Sequence, residues 1–374
     1  MDKKREIWMD FMRVTACFMV MAVHSTEPFY LGGEGSLVAS ATDAYWVALF
    51  EGLCRCCVPL FVLSSIYLLF PLKCDSAEFF RKRAIRIVIP LVLWSLVYAF
   101  CFGEPVANLK GLLLNFNYAA GHLWFVYMLV GLYLVMPLLS PWAEKVSKKE
   151  LEVYLLIWAI TTMVPFIRDV SGGPAPLIKA ADGLPAPALF PLWGEAAWNP
   201  FGALYYVSGF LGYLLAGLYV KKFVPVGRLT RVLGWSLFLV GFLASAFGML
   251  LRIGASSDTY PISGPVDLAV GWEIPLTFCG SPVVLSAIGL LLVFKNTEFR
   301  EGGFYKHIIL PLSKAGYGMY LTHILVLGVF SALYREIIGS TPLSILATAV
   351  STFITVGLAC VMIRKIPRLG QYLV

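Results

Sequence analysis

Apolar stretches of about 18 to 25 residues recur from one end of the chain to the other, each closed by Lys, Arg, Pro or Gly, and nothing else in the sequence restricts the fold as strongly. A segment of that length crosses a bilayer as a helix, because hydrocarbon offers no partner for backbone N–H and C=O groups except the segment itself. Of the 374 residues 59% are hydrophobic and only 14% charged, against about a quarter charged in soluble domains. The pattern therefore predicts an all-α polytopic integral membrane protein, a single domain over 1–374. Ten helices are expected, at 6–28, 45–70, 83–102, 122–140, 150–167, 200–220, 231–251, 273–294, 308–334 and 342–365. The Pro-, Gly- and Ala-rich stretch 168–199, with Trp193 and Trp198, is expected to form a lid over one face. No internal repeat is visible, so the paired halves of many transporters gain no support.

Positive residues are retained on the cytoplasmic side of a bilayer. With the N-terminus inside, 22 of the 29 Lys and Arg residues fall in cytoplasmic segments, Arg13 and Arg55 lie within the membrane, and only five fall outside. Both termini are therefore expected to be cytoplasmic and the helix count even. The net charge of +7 is divided among short loops and forms no continuous basic face, which argues against nucleic acid as a partner. The eight cysteines lie in or beside apolar spans and read as small buried hydrophobes, and "CRCC" at 54–57 lacks the paired spacing of a metal site, so no metal is expected. The first segment, interrupted by charges and without a small-residue cleavage site, is expected to be retained.

That segment, "MDFMRVTACFMVMAVHSTEPFY" from Met9 to Tyr30, carries Asp10, Arg13, His24 and Glu27. Arg13 and His24 are eleven positions apart, so they differ by about 20° around a helix and are separated by about 16 Å along it. Asp10 and Cys17 share their stripe. An ionisable group at bilayer depth costs about 2.5 kcal/mol or more, so such a stripe faces a cavity or partners. Two readings stand: a functional wall, or an Asp10–Arg13 pair at i, i+3 with a hydrogen-bonded histidine. Glu27, one turn past His24, either orients the imidazole or meets water at the helix end.

Arg55 lies well inside the second span and is expected to face the bundle interior, since it is too far from an end to snorkel. In "FFRKRAIRIVIP" (79–90), Arg83 and Arg86 occupy adjacent turns; they anchor the cytoplasmic end of the third span, and their planar forks also suit phosphate oxygens. His122 in "GHLWFVY" and His323 in "GYGMYLTH" lie in apolar neighbourhoods beside Trp or Tyr.

Taken together these segments resemble the acyltransferase 3 family of integral membrane acyltransferases. Asp10, Arg13, Ala16 and His24 match its D-x-x-R-x-x-A opening and the histidine that follows. Arg55, Val58, Pro59, Phe61 and Ser64 resemble its R-x-x-V-P-x-F-F-x-x-S-G stretch, with Val62 for the second Phe and Ser65 for the Gly. Arg83, Arg86, Ile87 and Pro90 match R-x-x-R-I-x-x-P; His122, Leu123, Trp124, Phe125 and Tyr127 match H-L-W-F-x-Y. Tyr317, Tyr320, Leu321 and His323 match S-Y-x-x-Y-L-x-H, with Gly316 where Ser is commoner.

The resemblance implies transfer of an acyl group, most often acetyl, from cytoplasmic acyl-CoA to a hydroxyl or amine of an envelope glycan, glycolipid or lipid-linked sugar, in the inner (cytoplasmic) membrane. It carries essential roles onto Arg13, His24, Arg83 and Arg86, and no additional domain is expected beyond the last helix. On this basis Arg83, Arg86 and Arg13 are expected to hold the phosphates of acetyl-CoA. His24 is expected to act as general base or acyl carrier, with Glu27 beside it. Arg55, His122, Trp124, Tyr320 and His323 are expected to bind the acceptor or steady the developing oxyanion. Ser64 and Ser65 read as helix-packing residues and not as nucleophiles. A transporter of an ion-coupled or lipid-linked precursor, and an acyl-CoA sensor without turnover, are the rival readings.

Overall fold

The computed structural model describes residues 5–32, 35–114, 118–170, 205–256, 259–264, 271–367 and 370–374. Helices occupy each of the ten expected places. Among the described residues eight segments are long and apolar enough to cross a membrane: Ile7–Phe29, Ala41–Leu69, Ser76–Cys101, Ala120–Lys145, Arg228–Ser256, Ile274–Lys295, Tyr305–Ile337 and Thr341–Ile363. The chain is thus an α-helical multi-pass membrane protein. The other two places hold α8 (Lys148–Val170), whose first turn is charged, and the short α9 (Leu211–Phe223). Most of the expected lid at 168–199 lies outside the described residues.

Helix α1 (Ile7–Thr26) is the axis of the bundle. It packs against α2 (Ala41–Cys54), α3 (Cys57–Leu69), α11 (Ser281–Lys295), α12 (Leu310–Ile337) and α13 (Thr341–Ile363). An apolar helix surrounded by other helices has no face to give to lipid, so its polar residues must find partners or line a cavity. The peripheral helices do face outward: Leu239 and Leu251 on α10 (Arg228–Ser256) and Ile354 and Leu358 on α13 are exposed from the bundle, an apolar belt suited to lipid. Close approach of α10 to α11 depends on glycine. A Cβ on Gly289 would lie 2.5 Å from the Phe238 backbone nitrogen, and one on Gly241 would lie 2.3 Å from the Pro282 carbonyl.

Three local features differ from the sequence expectation. The span expected as one helix over 45–70 is broken between α2 and α3, with Arg55 at the break. The cause is Pro59, which has no N–H to give the Arg55 carbonyl four residues back and whose ring crowds that oxygen. The third span combines α4 (Ser76–Arg83), a π-helical turn Ala84–Val88 and α5 (Ile89–Cys101), which places Arg86 inside the π turn. A second π turn, Tyr305–Ile309, leads into α12. Lastly, a small antiparallel sheet joins β1 (Leu31–Gly32), β2 (Gly35–Val38) and β3 (Ile262–Gly264), pairing Leu37 with Ser263. Beneath it Tyr30, Val38, Val47, Ile253, Ile262 and Trp272 form a separate small core at the end opposite the N-terminus.

Candidate active site

At the end of the bundle where α1 begins lies a cavity of about 530 Å³. Its charged lining is entirely basic: Arg5, Arg13, Arg83, Arg86, Lys314 and Arg364, with no Asp or Glu among its lining residues. Arg364 donates through Nη1 to the Val374 carbonyl oxygen at 3.0 Å, and Arg5 is paired with a carboxylate side chain. It makes a two-pronged contact with Asp10, Nε–Oδ2 and Nη2–Oδ1 both 2.6 Å, and that hydrogen bonding raises its pKa above the ordinary guanidinium value. Tyr305 and Ser313 donate to the same carboxylate at 2.8 and 2.6 Å. The Asp10–Arg13 pair that the i, i+3 spacing allowed is therefore not formed; Asp10 is consumed by Arg5.

Arg13 instead donates to Ser64 Oγ at 3.2 Å and has no carboxylate within salt-bridge distance. The Arg83 guanidinium carbon lies 5.7 Å from the ring centres of both Phe79 and Tyr133, which meet edge to face 5.8 Å apart, and among the described residues its buried Nε has no partner. The aromatic pair supports one side of the guanidinium and leaves donors of its fork for an acceptor. A buried guanidinium donor left unsatisfied is a costly arrangement, and it becomes intelligible when a ligand anion completes it.

The lining of this cavity includes Phe125 and Tyr320, and Tyr320 packs against two histidines, His122 and His323. Its hydroxyl donates to the His122 carbonyl, and its ring centre lies 5.8 Å from that of His122 and 5.9 Å from that of His323. His323 is in turn 5.1 Å, centre to centre, from both His122 and His24. His24 Nδ1 lies 2.7 Å from Glu27 Oε1. A carboxylate accepts, so Nδ1 carries the proton and Nε2 is left as the basic nitrogen. Ring contacts thus link the cavity wall at Tyr320 through His323 to His24, although no histidine lines the cavity itself.

Beyond His24 the end of the bundle opposite the cavity is closed by ion pairs. Arg55 Nη1 meets Glu51 Oε2 at 3.1 Å, Nη2 meets Glu273 Oε2 at 3.2 Å, and Nε donates to the Leu276 carbonyl at 3.0 Å. Thr26 donates to Glu51 at 2.5 Å and Tyr30 to Glu273 at 2.8 Å. The guanidinium also lies over Phe278 at 4.8 Å, and Trp124 packs against the same ring at 5.2 Å. Among the described residues no group of three His, Cys, Asp or Glu side chains is arranged to hold a metal ion.

The family model described as an acyltransferase domain, that of acyltransferase 3, matches residues 6–364, nearly the whole chain. The chain belongs to the acyltransferase 3 family. No curated protein and no solved structure matches it significantly. As a member of that family it is a membrane acyltransferase.

Within this acyltransferase the expected residues fall into three groups. Arg13, Arg83 and Arg86 share the cavity; His24, Glu27, His122, His323 and Tyr320 form the histidine cluster; Arg55 and Trp124 meet across Phe278. Residues not anticipated are Arg5, Lys314 and Arg364 in the cavity, and Glu51, Glu273 and Tyr30 around Arg55. Glu51 carried a signal, because it stands four residues before Arg55, the spacing of a helical ion pair. The three cavity cations carried none, since each also reads as ordinary positive-inside charge.

Proposed function

We propose that this acyltransferase moves an acetyl or other short acyl group from acyl-CoA to a hydroxyl of an envelope glycan or lipid-linked sugar. The cavity end faces the cytosol, and the chain crosses the inner membrane ten times with both termini inside. The observation that carries the reading is the acid-free basic cavity, whose inner wall Tyr320 joins the histidine cluster ending at His24 and Glu27.

In this reading Arg13, Arg83 and Arg86 hold the phosphates, helped by Lys314 and Arg364, and the pantetheine arm passes Phe125 and Tyr320 toward His24. Glu27 fixes the His24 tautomer, so that Nε2 takes the acceptor proton as the oxygen attacks the thioester carbonyl. The C–S bond then breaks and the CoA thiolate recovers a proton. The acceptor arrives from the other side, past Trp124. Arg55, already bound by two carboxylates and a carbonyl, holds that end in shape and does not contact the acceptor directly.

The test uses membranes carrying the protein or its His24→Ala variant, labelled acetyl-CoA and an envelope extract. Label is expected in an extract component with the native protein and not with the variant. Equal labelling by both removes His24 as the base, and movement of an acceptor without acetyl-CoA turnover favours a transporter.

A further inference from the structure

Glu27 Oε1 meets His24 Nδ1 at 2.7 Å, and among the described residues its carboxylate has no other hydrogen-bond or ion-pair partner. The side chain is 36% exposed, so water competes for it, and a single contact of that kind is easily lost to rotation. Its place against the imidazole is therefore set by the backbone that carries it. That backbone is the 3-10 turn Glu27–Phe29, closed by the Tyr30 N–H donating to the Glu27 carbonyl at 3.1 Å and stiffened by Pro28.

The residues on either side of the turn are both anchored through hydroxyls. Thr26, just before it, and Tyr30, just after it, have no exposed surface. The Thr26 hydroxyl lies 2.5 Å from Glu51 Oε1; the Val23 carbonyl, three residues back, is 2.6 Å from the same hydroxyl and shares its proton. The Tyr30 hydroxyl donates to Glu273 Oε1 at 2.8 Å. The other oxygen of each carboxylate, Oε2 in both, meets Arg55 at 3.1 and 3.2 Å. One guanidinium thus reaches both flanks of the turn, through a carboxylate on α2 and another just before α11. Packing alone does not call for these hydroxyls: the Tyr30 ring lies in the small apolar core with Val38 and Val47, which a phenylalanine would fill as well. Charge-assisted hydrogen bonds between buried groups do what packing does not, because they fix direction as well as distance.

We infer that Thr26 and Tyr30 are positioning residues, which through Glu51, Glu273 and Arg55 clamp the turn that carries Glu27 and so hold its carboxylate on His24 Nδ1. This role presupposes that His24 is the base, as proposed above. An imidazole whose Nδ1 is unbound can turn and can carry its proton on either nitrogen, and only the form with the proton on Nδ1 presents Nε2 as the basic atom. None of the clamp residues lines the basic cavity, so their loss should be felt in kcat and not in the binding of acetyl-CoA. The clamp also acts through one side chain, Glu27, and that distinguishes it from a general contribution to stability.

The test is a double-variant cycle on full-length purified protein: Tyr30→Phe, Glu27→Ala and the two together. CoA thiol release from acetyl-CoA in the presence of envelope extract gives kcat and KM, and direct titration gives acetyl-CoA affinity. Tyr30→Phe removes one oxygen from a buried ring, and its kcat is expected to fall about 5- to 30-fold with KM and affinity for acetyl-CoA within about twofold. Glu27→Ala should lower kcat at least as far. Adding Tyr30→Phe to it should cost no more than about a further twofold, because the carboxylate being positioned is gone. Should Tyr30→Phe not yield monodisperse protein, Thr26→Val takes its place in the cycle, and Thr26→Ser, which keeps the hydroxyl, should stay within about threefold of the native kcat. Native kcat in the variant lacking a hydroxyl, a loss confined to KM, or losses that multiply in full in the double variant would each overturn the clamp. His24→Ala separates the two assignments. If it is inactive while Tyr30→Phe keeps native kcat, the base stands and the clamp falls; if it keeps native activity, the base assignment falls and the clamp with it.

Discussion

The two ends of α1 treat charge in opposite ways. At the N-terminal end Arg13, Arg83, Arg86, Lys314 and Arg364 surround a cavity lined by no Asp or Glu side chain, and Asp10 is already taken by Arg5. At the far end Arg55 is enclosed by Glu51 and Glu273, with Thr26 and Tyr30 completing the carboxylate oxygens. Glu51 in the second set is fully buried, where an unpaired charge is expensive, whereas Arg86 and Lys314 in the first are exposed. The closed set is a structural lock that joins the α2–α3 break to the segment before α11. The open set is held apart by the fold and tolerates its own repulsion, the arrangement on which the proposed anion site rests.

The contrast is broken most forcefully by removing one charge from each set. Arg55→Met leaves Glu51, which has no exposed surface, without its cation, and is expected to destabilise the folded protein by about 3–5 kcal/mol. Arg86→Met removes an exposed cation with no carboxylate partner and should change stability by no more than about 0.5 kcal/mol. Thermal unfolding of both variants in the same detergent measures the difference, and equal losses would show that the open set is structural too.

Ligand binding sharpens the contrast from the other side. Arg13→Gln and Arg83→Gln should each weaken acetyl-CoA about 10- to 100-fold, the value of one charge-assisted hydrogen bond to phosphate, in a direct titration of purified protein. Raising NaCl from about 0.05 to 0.5 M should weaken acetyl-CoA severalfold, while the unfolding temperature of the unliganded protein stays nearly constant, because the enclosed Arg55 pairs are shielded from mobile ions. A salt-independent affinity would place the phosphates elsewhere.

How far the sequence reveals these two ends depends on whether the deciding contact is local. The stripe of Asp10, Arg13 and His24 follows from helical periodicity alone, and the structure keeps all three toward the bundle interior. The break at Arg55 was also legible, in Pro59 four residues later, yet the apolar run through "CRCCVPLFVL" hides it. The lock itself was not legible. Glu273 lies 218 residues from Arg55, and a lone Glu before an apolar span reads as a wet helix end. The histidine cluster shows the same limit: the short motifs around His24, His122 and His323 each flag one imidazole, but only packing of α1, the 3-10 turn Tyr118–Leu123 and α12 brings their rings together. The small sheet was missed because a two-residue strand beside glycines has too few side chains to show an alternating pattern.

The smallest test concerns the wall of the open end. Family pattern favours Ser at the position of Gly316, and the sequence alone does not say whether glycine is required there for close helix contact. The structure answers that it is not: Gly316 lines the cavity, and a Cβ built on it meets no atom within 4 Å. Gly316→Ser should therefore fit without displacement. Because serine costs a helix interior less than glycine does, the variant should be unchanged or more stable by up to about 0.5 kcal/mol. Its hydroxyl would add one neutral donor to a wall already rich in cations, so acetyl-CoA affinity should move by no more than about threefold. Matched unfolding and titration measurements decide it. A large loss of stability would mean that α12 packs more tightly at this end, and that the cavity is narrower than the space around Gly316 implies.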